Sequence, residues 1–167
     1  MRKASAIAGS IVFFGVAPGV VAGLAPWLLA GRYGVPLSPW PVAVAGLLLV
    51  VAGLAVLLHA FARFALEGLG TPAPIAPTDR LVVSGAYRYV RNPMYVAVLS
   101  IILGQAIMFA HWPLVAYAVV VGAAMMVFVR VYEEPVLARR YGAQYLDYCA
   151  HVPGWLPRLT PWRGETP

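Results

Sequence analysis

Four long runs of apolar residues restrict the ways in which this chain can fold. They cover approximately residues 7–29, 41–64, 94–109 and 113–132. A helix needs about 20 apolar residues to cross a bilayer, so the first, second and fourth runs are long enough to do so. The third run is slightly short and is expected to lie deep in the bilayer or to tilt little. The sequence therefore predicts an all-α integral membrane protein with about four transmembrane helices.

Composition excludes the main alternatives to such a protein. Charged residues make up only 11% of the 167 residues and hydrophobic residues 62%, whereas a soluble domain carries about 25% charge. A disordered chain needs low hydrophobicity and high charge, and an outer-membrane barrel would have alternating strands of about ten residues. The first apolar run is longer than the roughly 7–15 residues of a signal-peptide core. We therefore interpret it as a retained span and residues 1–167 as one membrane domain.

The distribution of charge predicts an orientation. With a cytoplasmic N-terminus, Arg32 is alone among the 12 basic residues in lying on the outer side, and all six acidic residues fall on the cytoplasmic side. This asymmetry follows the positive-inside rule and accounts for the net charge of +6 without nucleic-acid binding. The loop at residues 65–92 and the tail at residues 133–167 are then cytoplasmic. We expect both termini in the cytoplasm, the protein in the cell membrane, and any polar chemistry at this face.

Glycines recur at every fourth position within the first apolar run. Gly15, Gly19 and Gly23 form a GxxxGxxxG ladder, and small residues at this spacing let helices approach each other closely. Pro18 lies inside the ladder and is expected to kink the helix. The ladder therefore predicts a helix-packing face.

The second apolar run carries a polar stripe. His59, Arg63 and Glu67 are spaced by four residues and share one helix face. Ionisable residues in such a run are costly and normally face the bundle interior or a water-filled cavity. The stripe either lines a polar site or consists of an Arg63–Glu67 pair at the interface with His59 bonded to a neighbouring helix. The sequence leaves both interpretations open.

A polar and aromatic motif precedes the third apolar run, where residues 84–95 read SGAYRYVRNPMY. An aromatic belt with positive-inside anchors accounts for its tyrosines and arginines one by one. It accounts less well for Asn92 and Pro93, since a proline at the first helical position indicates a helix N-terminus. Such an N-terminus favours an anion, and Arg91 beside it offers a carboxylate-binding fork.

Two adjacent carboxylates, Glu133 and Glu134, end the fourth apolar run. Their mutual repulsion is unfavourable near the bilayer, and Arg130, four residues before Glu134, can screen only one of them. A solvated helix end explains one glutamate. For the pair, we favour the binding of a cationic or hydroxyl-rich ligand.

The tail after Pro135 has the pattern of an amphipathic helix. Apolar and aromatic side chains collect on one face, namely Leu137, Tyr141, Tyr145 and Tyr148. We predict a C-terminal cytoplasmic amphipathic helix that lies on the membrane or against the bundle. The sequence has no GxGxxG or P-loop motif. Its three histidines and one cysteine lack metal-ligand spacing, so no metal site is predicted.

Three motifs, in order, resemble those of one enzyme family. Residues 91–95 (RNPMY), followed about forty residues later by the Glu133–Glu134 pair, resemble the RHPxY…EE signature of isoprenylcysteine carboxyl methyltransferases. Residues 84–89 (SGAYRY) and 140–157 (RYGAQYLDYCAHVPGWLP) are also similar to that family, whose wider group includes the phospholipid N-methyltransferases. The resemblance covers roughly residues 70–161, and three motifs at the right spacing make it fairly specific.

The resemblance implies a membrane methyltransferase that uses S-adenosylmethionine without a Rossmann fold. In that family the cofactor lies at the cytoplasmic face, between the third and fourth spans and the C-terminal segment. The cofactor-binding signature and acidic pair correspond here to Arg91, Asn92, Pro93, Tyr95, Glu133 and Glu134. Asn92 replaces a histidine and cannot carry a positive charge. Ala97 replaces a glycine and adds a methyl group where the backbone could otherwise approach a ligand.

The side chains in these motifs suit the chemistry of the implied cofactor. The carboxylate pair suits its ammonium group or its ribose hydroxyls, and Arg91 suits its carboxylate. Tyr87, Tyr95 and Tyr145 are candidates to stack on the adenine or to face the sulfonium. We therefore count these residues as the candidate cofactor site.

The acceptor is expected to be lipophilic and to enter sideways from the bilayer. Arg130 is the candidate catalytic residue, as an anchor for the polar end of the acceptor, with a salt bridge to Glu134 as the open alternative. The resemblance favours carboxyl methylation. Amine methylation of a phospholipid is a second possibility and would require a base. A non-catalytic scaffold or small transporter is the remaining class, although a transporter would carry polar residues near the bilayer midplane.

Overall fold

The computed structural model describes residues 17–67 and 81–164, without the side chains at 64–67. Within these ranges every regular element is helical and none is a strand. The helices are α1 (Ala17–Leu29), α2 (Trp40–Glu67), α3 (Pro93–Met108), α4 (Trp112–Phe128), α5 (Glu134–Tyr141) and α6 (Ala143–His151). π-Helical turns interrupt α1 at Val20–Leu24 and join α4 to α5 at Val129–Glu133. The predicted all-α class is therefore confirmed for the described residues.

Two segments are long and apolar enough to cross a bilayer. They are Trp40–Arg63, with a mean hydropathy of 2.7, and Trp112–Tyr141, with a mean hydropathy of 2.3. The described part of α1 and the whole of α3 are also apolar but shorter. The count of four spans therefore remains a prediction.

The fourth helix does not end where the sequence predicts. A new helix is expected at Pro135, but the helix is continuous over the 30 residues of Trp112–Tyr141. The π-helical turn just before Pro135 changes the hydrogen-bond register, so the missing N–H of the proline is tolerated. The break comes instead at Gly142, whose φ of +54° favours glycine. The tyrosines predicted on one helix face are consequently divided between α5 and α6.

The closest helix contact joins α2 to α3. A Cβ built on Gly46 would lie 2.6 Å from the carbonyl oxygen of Gly104, and one built on Gly104 would lie 2.7 Å from that of Gly46. About two helical turns nearer the loop, a Cβ on Gly53 would lie 2.9 Å from the carbonyl oxygen of Ala97. Small residues thus bring the two backbones together, as in other membrane bundles.

The π-helical turn of α1 directs backbone carbonyls towards neighbouring helices. The hydroxyl of Tyr117 on α4 donates to the carbonyl of Val21 at 2.9 Å, and Nε2 of Gln105 on α3 donates to the carbonyl of Ala22 at 2.8 Å. A π turn shifts carbonyls away from their ordinary intrahelical partners. These two side chains satisfy them where no water is available.

The glycine ladder of α1 is not a packing face against the described helices. Gly19 and Gly23 are exposed, and a Cβ on Gly23 would have nothing within 4 Å. Gly15 lies outside the described residues. The prediction is wrong at Gly23 because α1 contacts its neighbours through the carbonyl side of its π turn, on another face.

The loop before α3 and the C-terminal tail run side by side. The amide of Arg91 donates to the carbonyl of Pro153 at 2.9 Å, and the amide of Arg158 donates to the carbonyl of Tyr89 at 3.0 Å. The amide of Trp162 continues the pairing, 2.9 Å from the Arg88 carbonyl. We call this end of the bundle, residues 81–92 and 134–164, the polar end.

Replacing Gly104 by alanine tests the α2–α3 contact. The added methyl group would meet the Gly46 carbonyl and the Val50 side chain, both at 2.7 Å, and overpacking of this kind costs about 1–3 kcal/mol. We expect a lower midpoint of thermal unfolding in detergent. Gly23→Ala, with open space around it, is the matched control and should be neutral or stabilising by up to about 1 kcal/mol. An equal loss in both variants would contradict the close contact.

Candidate functional site

Arg91, just before α3, is the centre of the polar contacts at this end. Its Nη1 lies 3.2 Å from Oε1 of Glu134 on α5 and 2.6 Å from Sγ of Cys149 on α6. Its Nε is buried and has no hydrogen-bond partner among the described residues. The guanidinium therefore ties two helices to the start of a third and keeps one buried donor for a ligand.

The two adjacent glutamates have different partners. The hydroxyl of Tyr95 donates to Oε2 of Glu133 at 2.9 Å, whereas Glu134 pairs with Arg91. Consecutive residues of a helix do not face the same neighbour, so Glu133 contacts α3 and Glu134 contacts the loop. Across the part of the chain that the structure describes, Glu133 has no cationic partner.

Asn92 fastens the tail to the start of α3. Its side chain is buried, and its Nδ2 donates to the carbonyl of Gly154 at 3.0 Å. A neutral amide is sufficient for this bond, and no positive charge is needed. The next tail residue, Trp155, stacks on Tyr95 with ring centroids 6.1 Å apart. Pro93 begins α3 and is buried, as the sequence predicts.

Three buried tyrosines surround the space between α6 and the loop. The hydroxyl of Tyr148 donates to the carbonyl of Tyr87 at 2.6 Å, and the rings of Tyr145 and Tyr148 lie 6.5 Å apart. Burial raises the pKa of all three phenols above the ordinary value for tyrosine. They therefore stay protonated at neutral pH and can donate hydrogen bonds.

Two cavities meet at these residues. The larger has a volume of about 130 Å³ and is mostly apolar; the smaller, of about 60 Å³, lies among the tyrosines and Glu134. We call them the apolar cavity and the polar cavity. Both are lined by Tyr87, Arg91, Asn92 and Glu133, which we call the shared wall. One layer of side chains thus lies between the apolar cavity and a smaller one whose lining is relatively more polar.

Comparison with known protein families identifies the family of this chain. The sequence model of the family described as phospholipid methyltransferase matches residues 42–144. The chain belongs to this phospholipid methyltransferase family. The family is part of the isoprenylcysteine carboxyl methyltransferase-like group of membrane methyltransferases, so the resemblance predicted from the motifs is confirmed. The matched residues include the whole shared wall.

A curated protein is also similar to part of this chain. The cobalt-zinc-cadmium resistance protein CzcN of Cupriavidus metallidurans is 34% identical over 88 residues. The alignment covers 53% of this chain and 40% of the length of that relative. No solved structure gives a significant match.

The structure of this chain brings most of the predicted site residues together. Besides the shared wall, Pro93 and Tyr95 line the apolar cavity, and Glu134 and Tyr145 line the polar cavity. Arg130 does not join them: it lies on the exposed side of the π-helical turn and lines neither cavity. Ala97, the second departure from the family signature, is buried against Gly53 and also lines neither cavity.

The apolar half of the site is absent from the sequence prediction. The four long helices supply it with side chains that include Pro18, Val21, Leu57, Phe61, Val98 and Met125. Apolar residues inside an apolar run carry no signal that distinguishes a cavity wall from a lipid contact. Tyr148, by contrast, was detectable as part of the aromatic face.

The two described side chains of the polar stripe, His59 and Arg63, line neither cavity. His59 is exposed, and a Cβ on Gly85 in the loop would overlap its imidazole Nε2. Gly85 has a φ of +56°, so glycine suits both its backbone and this close approach. The side chain of Glu67 lies outside the described residues. Among the described residues, no three His, Cys, Asp or Glu side chains are grouped as metal ligands.

Replacing Tyr148 by phenylalanine tests the packing of the polar cavity. The change removes the donor to the Tyr87 carbonyl, and an unsatisfied buried carbonyl costs about 1–3 kcal/mol. We expect a lower thermal unfolding midpoint. Tyr89→Phe, at a ring that is 37% exposed, is the matched control and should change little. If Tyr148→Phe were as stable as the control, the bond would not hold the cavity together.

Proposed function

We propose that this protein is an integral-membrane methyltransferase that moves a methyl group from S-adenosylmethionine to a lipophilic acceptor. The observation that carries the proposal is the shared wall between the polar and apolar cavities. A polar cofactor and a lipophilic acceptor need different surroundings, yet their reacting atoms must meet at one point. Membership of a membrane methyltransferase family supports the same reaction class.

The residues at the polar end fit S-adenosylmethionine, which when bound supplies an electrophilic methyl group on a sulfonium. Arg91 and the N-terminus of α3 suit its carboxylate, and Glu134 suits its ammonium group or ribose hydroxyls. Tyr145 is our candidate to stack on the adenine. The buried Nε of Arg91, unpartnered within the described residues, is the feature that most favours an anionic group here, because buried donors are normally bonded.

The residues of the chain position the reactants and exclude water. Tyr95 is held by its stack on Trp155 and donates to Glu133, which fixes that carboxylate in the shared wall. The tail bonds hold Arg91 and Asn92 in the same wall. An in-line methyl transfer depends on orientation and on a dry site more than on covalent help. The apolar lining supplies that dry side.

The proposed topology has four spans, with the polar end and both termini in the cytoplasm of a cell membrane. Of the described basic residues, Arg32 is alone in lying at the opposite end, which follows the positive-inside rule. The 16 residues of α3 measure about 24 Å against a hydrocarbon thickness of about 30 Å. Arg91 and Asn92 would therefore sit below the head groups, within reach of a lipophilic acceptor. Arg130 stays a predicted anchor for an acceptor head group outside the cavities.

Two acceptor chemistries are compatible with this site, a carboxylate as in the isoprenylcysteine carboxyl methyltransferases or an amine as in the phospholipid N-methyltransferases. The lack of a cationic partner for Glu133 among the described residues favours the amine. A carboxylate acceptor would bring a second negative charge to the shared wall, beside that of Glu133. An amine acceptor loses a proton on methylation, and Glu133 can accept it.

Titration calorimetry of the purified protein with S-adenosylmethionine tests the cofactor assignment. We expect wild type to bind, and Glu134→Gln to bind about tenfold more weakly or worse, because a hydrogen bond to a charged group contributes about 1.5–3 kcal/mol. Asp147→Asn is the matched control, since this carboxylate is 61% exposed and pairs with the exposed His151. No binding by wild type, or equal losses in both folded variants, would sink the assignment.

Incubation with methyl-labelled cofactor and membranes separates the two acceptor chemistries. A base-stable label in a lipid head-group fraction indicates an amine, and a base-labile label indicates an ester. For an amine, Glu133→Gln is expected to lower the rate about 10²–10⁴-fold, as for the loss of a general base, while cofactor binding persists. A base-labile product whose formation survives Glu133→Gln would favour the carboxylate instead.

A further inference from the structure

The apolar cavity is small for a site that takes lipids. Its volume is about 130 Å³, which is close to the roughly 150 Å³ of an engineered apolar cavity that binds benzene in another protein. By that comparison it has room for about six carbon atoms, although it is not a closed cavity. A diacylated lipid or a polyisoprenyl chain is several times larger.

Four side chains form the floor of this cavity, one from each long helix. Val21, Leu57, Val98 and Met125 are the lining residues that lie farthest along their helices from the polar end. Directly below them, Ile101, Ile102 and Ala118 belong to the buried core, and Ile102 has no exposed surface. A chain entering from the shared wall therefore meets packed core after about six carbons.

The floor is held by hydrogen bonds as well as by packing. The carbonyl of Val21 accepts from the Tyr117 hydroxyl at 2.9 Å, and the next carbonyl, of Ala22, accepts from Gln105 at 2.8 Å. Gln105 is itself bonded to the Tyr33 hydroxyl. Moving α1 aside to lengthen the cavity would break these bonds in a region without water, where an unpaired carbonyl is costly.

We propose that the apolar cavity selects the acceptor by size, enclosing an apolar group of about six carbons whose limit is set by Val21, Leu57, Val98 and Met125. Tyr117 is a positioning residue that holds Val21 in place. This inference rests on the proposed function, because it assumes that the reacting end of the acceptor lies at the shared wall and that its chain extends from there towards the floor.

The test compares wild type with Met125→Ala on n-alkyl amines, thiols and carboxylates with chains of about four to twelve carbons, using methyl-labelled cofactor in nanodiscs. At each chain length, the rate of Met125→Ala is divided by the rate of wild type. Partitioning of the acceptor into the bilayer cancels in that ratio, because both enzymes are embedded in the same lipid. Met126→Ala is the matched control: it removes the same side chain from the next position, which is 48% exposed.

The ratio is expected to rise with chain length once the chain exceeds about six carbons. The physical reason is steric: wild type must displace packed floor side chains to admit a longer chain, whereas the enlarged cavity admits it without overpacking. Met126→Ala should give a ratio that does not depend on chain length. Should Met125→Ala fail to fold, Val98→Ala opens the same floor from α3. The size limit would be overturned if the ratio for the floor variant did not change with chain length and wild type readily used the longest chains.

A second readout does not depend on turnover. Alkyl amines with a terminal diazirine are photolysed in the presence of the protein, and the labelled residues are located by mass spectrometry. The short probe should label floor residues in wild type, and the long probe should do so only in Met125→Ala. Floor labelling as expected with no methyl transfer to any acceptor would contradict the proposed function and leave the size limit standing. Equal floor labelling of wild type by both probes would overturn the size limit.

Discussion

The position of Arg91 depends on three segments at once, and the site depends on Arg91. Its backbone amide is bonded to Pro153 in the tail, its guanidinium pairs with Glu134 on α5, and the same nitrogen contacts Cys149 on α6. A partly buried cation is tolerable only where its partners are fixed. Together these contacts hold the tail, which is distant in sequence, across the start of α3, where the two cavities meet.

The sequence predicts this part of the fold well because its signals are local or carried by charge. Proline at the first position of α3 marks a helix start wherever the rest of the chain lies, and the structure begins that helix at Pro93. An unpaired charged residue beside an apolar run is energetically unfavourable. Arg91 and Glu134 therefore predict a polar site from the sequence alone. The same reasoning gives Arg130 a role as an anchor for the acceptor; its side chain is exposed and lines neither cavity, and that role stays a prediction.

The remaining features depend on how the helices pack, which periodicity does not encode. Gly46 and Gly104 form the close contact while the more regular ladder of α1 does not, because any small residue can serve and only the facing helix decides which one is used. The π-helical turn of α1 likewise depends on side chains distant in sequence, because Gln105 and Tyr117 donate hydrogen bonds to its freed carbonyls. The apolar cavity is a third case, since its lining residues read as ordinary span residues.

The unequal surroundings of the two glutamates connect the charge of the site to its choice of acceptor. Arg91 neutralises Glu134. Glu133 is therefore the uncompensated negative charge at the shared wall, where it accepts a hydrogen bond from the neutral phenol of Tyr95. Methyl transfer from a sulfonium to a neutral amine moves one positive charge across that wall, so the charge stays close to a carboxylate before and after the reaction. Transfer to a carboxylate would instead bring two negative charges together in a poorly solvated place, where repulsion is strongest. Under the proposed function, the same burial would therefore favour a neutral amine over a carboxylate as the acceptor.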